Sequence, residues 1–170
     1  MEKLFSEMLG MPVIDESDGH ILGRIMNILI HPDNGQILAF SLDFSFGRIV
    51  LPVDVRGVFR EVIVREADIT SSEDVVRISQ VLERDCPVYA ARVVAKNGKF
   101  LGKVFDYSMN IDMGMMTNIF VAKGFLGLVR WSQRIISFSN ILEIKPKKIV
   151  VRSDVAEAKV GRFAAEGTSS

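Results

Sequence analysis

The chain has 170 residues, 48% hydrophobic and 25% charged, with 21 basic and 21 acidic side chains and a formal net charge of zero. That length holds one ordinary domain or two very small ones, and a mean hydropathy of +0.25 is compatible with a globular protein that buries a core. Charged residues or Gly interrupt every apolar run well before the roughly 18 residues a membrane-spanning helix needs, and Cys86 is the single cysteine, so an internal disulfide and a multi-cysteine metal site are excluded and a reducing, cytoplasmic setting is expected.

In chain order, Met1–Leu9 places Leu4, Phe5 and Met8 on one face and carries Glu2, Lys3 and Glu7. This predicts a short helix rather than a secretory signal. Asp18-Gly19 and Asn34-Gly35 are turn pairs that tolerate positive φ. Around them, β-branched runs predict strands over 21–30, 37–42, 48–51 and 58–64. Ser72-Glu73-Asp74 followed by Val75, Ile78, Val81 and Leu82 predicts a capped helix with one apolar stripe.

The same pattern then returns. Gly19, Gly23 and Gly35 recur as Gly98, Gly102 and Gly114, each 79 residues later, and Arg48-Ile49-Val50 recurs as Arg134-Ile135-Ile136 at an offset of 86. The second copy thus carries an insertion of seven residues, and its last strand is expected at 148–151. A repeat of this length predicts two similar units with separate cores. The fold class expected is mainly all-β, with two small barrels in tandem joined by a short helix and preceded by another. The divisions are a first barrel with its N-terminal helix at 1–66, a helical linker at 67–85, a second barrel at 86–154, and a disordered tail at 155–170. Divided so, the segments 1–9, 10–66, 67–85, 86–154 and 155–170 carry charges of −1, −3, −3, +7 and 0.

Each copy resembles the PRC-barrel family. The family pattern is matched by Gly10-Met11-Pro12-Val13, Gly19, Leu22-Gly23-Arg24-Ile25, Asp33 with Gly35, and Leu51-Pro52-Val53-Asp54-Val55. In the second copy it is matched by Cys86-Pro87-Val88, Gly98, Leu101-Gly102-Lys103-Val104, Asp112 with Gly114, and Phe138-Ser139-Asn140-Ile141. The second copy lacks the leading Gly and the Pro of the Ile-Pro segment. The resemblance covers roughly residues 10–154. It implies a small closed β-barrel and a non-enzymatic adaptor or scaffold that assembles with itself and with partner proteins. The nearest likeness is to stand-alone archaeal cell-division proteins, with recruitment to a division site at the inner face of the membrane. The alternative implied by the same family is an RNA- or ribosome-associated assembly factor resembling the ribosome maturation factor. Fold likeness alone is a weak warrant for either.

The residues themselves offer little catalytic chemistry. His20 and His31 are read as exposed turn residues, because no Cys or His partner has ligand spacing. Asp15-Glu16-Ser17-Asp18-Gly19 lacks the alternating ligands and terminal Glu of a calcium loop, and Ala95-Lys96-Asn97-Gly98 fills its place in the second copy. No catalytic residue, cofactor or metal is expected. Interaction residues are sought instead in the inserted segment, at Phe125, Leu126, Leu128, Arg130 and Trp131, and at the smaller matching turn, Phe44 and Phe46. The inserted segment either folds back on its barrel, anchors a protein interface, or touches a membrane surface beside Lys123 and Arg130. Lys145, Lys147, Lys148 and Arg152 form a basic patch suited to an acidic partner. The partners expected are a second copy, through head-to-tail contact of acidic and basic halves, and other proteins, including those of a division site. Nucleic acid is disfavoured by the neutral overall charge.

Overall fold

The structure is a computed structural model and describes residues 1–125 and 129–156, with backbone alone at 125, 129–132 and 156. The chain is mainly β, as its periodicity implies. It opens on β1 (Glu2–Leu4) and a single helical turn, α1 (Phe5–Met8), so the helix expected over Met1–Leu9 is shortened to Phe5–Met8 and residues 2–4 are extended. The reason is tertiary: β1 pairs antiparallel with a strand far along the chain, Lys3 opposite Met109.

Strands β2 (Pro12–Asp15), β3 (Ile21–Arg24), β4 (Asn27–Ile30), β5 (Ile37–Ser41), β6 (Ile49–Val50), β7 (Gly57–Val58) and β8 (Val62–Val64) follow. A 3-10 turn at Ser72–Asp74 and helix α2 (Val76–Glu83) complete the first stretch. The capping oxygen belongs to Ser71, which accepts the Glu73 N–H at 3.3 Å, and the helix itself starts later than its acidic turn suggests. After α2 come β9 (Arg92–Ala95), β10 (Phe100–Asn110), β11 (Met115–Phe125), β12 (Val129–Ser137), β13 (Ile141–Lys145) and β14 (Lys148–Val151).

The two sets of strands pair in the same way. Asn27, Ile28, Leu29 and Ile30 lie opposite Ser41, Phe40, Ala39 and Ile37. At a shift of 79, Asp106, Tyr107, Ser108 and Met109 lie opposite Phe120, Ile119, Asn118 and Met116, with the register irregularity at the matching place. Phe40 opposite Val50 is matched by Ile119 opposite Ile136, and the parallel pair of Val13 with Val62 by Val93 with Ile149. One difference is continuity. The strand expected over 21–30 is broken at Ile25 and Met26 into β3 and β4, which fall in separate sheets, whereas β10 runs through both positions. The inserted residues lengthen the β11–β12 hairpin, whose backbone pairing continues to Phe125 opposite Val129.

Two separate cores do not result. The buried side chains of both sets form one cluster, reaching from Phe5, Met8, Val13 and Phe40 to Val93, Tyr107, Ile119 and Ile149. Two contacts explain this. The Phe5 ring stacks on Tyr107 with centroids 4.7 Å apart, which seats the N-terminal turn on β10. The chain also bridges itself where β5 and β11 begin. There Ile37 N–H donates to the Gly114 carbonyl at 2.8 Å, and Met116 N–H to that of Gly35 at 2.8 Å. These two bonds exchange under the shift of 79, the reciprocity found at a two-fold axis. A smaller cluster lies on the other face of β5, where Ile78 and Val81 of α2 cover Leu38, Ala39 and Ile49.

Gly102 marks the tightest approach between strands. Its φ is +134°, and a Cβ there would lie 2.2 Å from the Ala122 carbonyl oxygen of β11. A Gly102→Ala substitution should therefore cost about 3 kcal/mol, or roughly 6–12 °C in the thermal midpoint. Gly19→Ala, at a φ of +74° in open space, should cost only about 1 kcal/mol. Thermal unfolding of the two variants side by side tests the assignment.

Candidate functional site

A pocket of about 430 Å³ opens where the two sets of strands meet. Ile28, Leu29 and Ile30 of β4 form one side, Val81 and Leu82 of α2 a second, and Phe5 with Tyr89 a third. β4 pairs with β5 on one edge only, and its other edge borders this space. In the second set the matching edge, Ser108 to Asn110, is taken by β1.

The rim is built by the loop between β5 and β6. Asp43 organises it: its Oδ1 accepts the Ser45 N–H at 2.9 Å, the Gly47 N–H at 3.0 Å and the Ser45 hydroxyl at 3.0 Å. Burial pushes the Asp43 carboxyl up, but these donors outweigh it and hold it below the ordinary carboxylate range. The loop turns at Phe46, whose φ of +60° is rare outside glycine. That turn is held by the α2 cluster, against which the Phe46 ring packs, and by the Ser72 N–H on its carbonyl at 3.2 Å. Phe44 and Tyr89 both line the pocket and stand out into solvent at its mouth, 79% and 52% exposed. A large aromatic held in water by an ordered loop is an apolar contact surface, the usual composition of an interface anchor.

The pocket's polar groups do not form an acid–base pair. The Cys86 thiol donates to the Arg84 carbonyl at 3.2 Å, and burial pushes its pKa up, away from a reactive thiolate. Tyr107 at the back is fully enclosed, and burial raises its phenol well above the ordinary value. The arrangement can hold an apolar side chain or a short extended segment.

Of the interaction residues read from sequence, Phe44 and Phe46 come together at this mouth. Leu126 and Leu128 lie outside the described residues, and Phe125, Arg130 and Trp131 are placed by backbone alone on the lengthened hairpin. Lys145, Lys147, Lys148 and Arg152 are all exposed, and none of them lines the pocket. Two of them are answered by acids: Lys145 pairs with Glu143 at 2.9 Å and Arg152 with Asp154 at 3.4 Å. Sequence reasoning missed the β4 side of the pocket and Tyr89, because nothing local distinguishes a strand edge that lacks a neighbour.

One group of metal-capable side chains converges among the described residues, Asp15, Asp18 and His20. Its members are already engaged. The Asp15 carboxylate accepts the Ser17 hydroxyl, the Ser17 N–H at 2.8 Å and the Glu66 N–H at 2.8 Å. Asp18 holds the His20 ring, Oδ1 to Nδ1 2.6 Å, which raises the His20 pKa. This is a turn that also ties β2 to the end of β8.

The PRC-barrel domain family model matches residues 1–79. The match runs from β1 into α2, and so includes the β4 side of the pocket and its Phe44 rim. Among curated proteins none matches the chain.

The Ser17 hydroxyl, the Glu66 N–H and the Ser17 N–H lower the Asp15 pKa to about 2. A folded-state value below the unfolded one of about 4 means stability that is complete above that pH and lost as pH falls through 2. Urea midpoints between pH 5 and pH 2 should therefore fall in the parent chain and fall less steeply in Asp15→Asn. At neutral pH, Asp43→Ala should cost about 1–2 kcal/mol by stranding the loop donors, whereas Phe44→Ala should stay within about 0.5 kcal/mol. Equilibrium unfolding of both variants checks the division between a residue that shapes the loop and one that it displays.

Proposed function

We propose that the chain is a non-enzymatic adaptor made of two PRC-type barrels, with residues 86–154 as the second copy, that binds partner proteins and associates with itself. The observation that carries the binding reading is the apolar pocket with Phe44 and Tyr89 standing exposed at its mouth. The reading of a second barrel is supported by the pairing registers, which return at offsets of 79 and 86 through both stretches. Self-association is supported by the split between an acidic first part and a +7 second part, since complementary unlike faces on one chain join heterologously. A place among division-site scaffolds rests on family resemblance and is the narrowest part of this proposal.

Sedimentation at micromolar concentration tests self-association. Species larger than the monomer are expected at low salt and should shift toward the monomer at high salt. A single monomer under both conditions overturns it. For partner binding, affinity capture with the parent chain is compared with a Phe44→Ala, Tyr89→Ala double variant. The proteins enriched by the parent should be lost from the variant, and an identical set from both would remove the pocket from the proposal.

A further inference from the structure

The outer face of the β14-β9-β10-β11 sheet carries a row of cations that the first set of strands does not have. Arg92 on β9 lies directly opposite Lys148 on β14 and Lys103 on β10, so three like charges stand side by side across three strands. All three are exposed. Like charges directly opposite one another destabilise a sheet. Lys123 joins them: its Nζ lies 5.7 Å from the Phe100 ring centroid, over which the Arg92 guanidinium also sits at 4.5 Å. Among the described residues none of these four cations has a carboxylate partner. At the places matching Arg92 and Lys103 the first set has Pro12 and Arg24, a single cation.

The row beside the cations is apolar apart from Asp106, which lies opposite Phe120, is 8% exposed and accepts from the Ser6 N–H and hydroxyl. Lys103 faces Ala122, and two positions along the same face Phe120 lies opposite Ile135, which is 51% exposed. The first set buries the equivalent Ile49 completely beneath α2, whereas among the described residues no helix covers Ile135. An open sheet face with cations in one row and Phe and Ile in the next suits a surface that is anionic outside and apolar just beneath. Stacking of nucleic-acid bases is less well served, because two cations already occupy the Phe100 ring.

We infer that this face, centred on Arg92, Lys103 and Lys148, docks on an anionic phospholipid surface. It stands apart from the pocket between β4 and α2 and does not depend on the protein-binding reading. The test is flotation of the full chain with phosphatidylcholine vesicles and with vesicles containing about 30% phosphatidylglycerol. Binding to the anionic vesicles alone is expected, weakening as salt rises. Lys103→Glu with Lys148→Glu should reduce it by at least about tenfold. Lys103→Glu alone also relieves the like-charge row, so its thermal midpoint should rise by about a degree or two while its vesicle binding falls. That opposite movement separates lipid contact from damage to the fold. Equal binding to both vesicle types, no binding to either at low salt, or full binding by the double variant overturns the inference. So does retention of single-stranded RNA by a chain that ignores the vesicles.

Discussion

The joint where β5 and β11 begin governs the rest of the architecture. Its two hydrogen bonds, from Ile37 to Gly114 and from Met116 to Gly35, run in opposite senses between equivalent residues. Gly35 allows this in two ways. Its φ of +73° makes the turn, and its bare Cα admits the Phe138 ring, which would lie 2.9 Å from a Cβ. With the joint fixed and Phe5 seated on Tyr107, apolar strands of both stretches face a common interior, and the pocket is the space left at one end of the seam.

The same pairing pattern is finished differently on its two outer faces. On the first, Leu38, Ala39 and Ile49 are apolar and α2 lies over them. On the second, the matching positions are Thr117, Asn118 and Ile135. Thr117 and Asn118 there bond to Ser108, at 2.8 and 3.1 Å. A face provided with its own polar network needs no helix to cover it. Arg84 at the end of α2 secures the covering helix on the first face through a bidentate pair with Asp33, both contacts at 2.7 Å.

Much of the strand pattern was legible because glycine pairs and β-branched runs act locally. Asn34-Gly35 and Asn97-Gly98 turn where their chemistry requires, and the repeat of three glycines at one spacing anticipated the matched registers. What escaped was non-local. Residues 2–4 become a strand only because β10 offers an edge 104 to 108 residues away, and no periodicity within Met1–Leu9 records that offer. The shared core escaped for the same reason, since Phe5 reads as part of an amphipathic turn whichever unit it covers. The candidate site was half visible. Phe44 and Phe46 stand out as aromatics in a loop, but the β4 edge and Tyr89 acquire meaning only once the seam exists. The basic run 145–148 was visible in sequence, whereas its alignment with Arg92 and Lys103 depends on register.

Covalent connection of the two strand sets has a consequence for shape. Two identical chains meeting across a two-fold axis must present the same exterior on both sides, so any complex they build is blind to direction. Here the bonds at the joint keep that geometry, yet each side is encoded by its own residues: one belongs to an acidic stretch and is roofed by a helix, the other belongs to a basic stretch and has no helix over it among the described residues. The molecule consequently has a front and a back, and anything assembled from it inherits a sense of orientation.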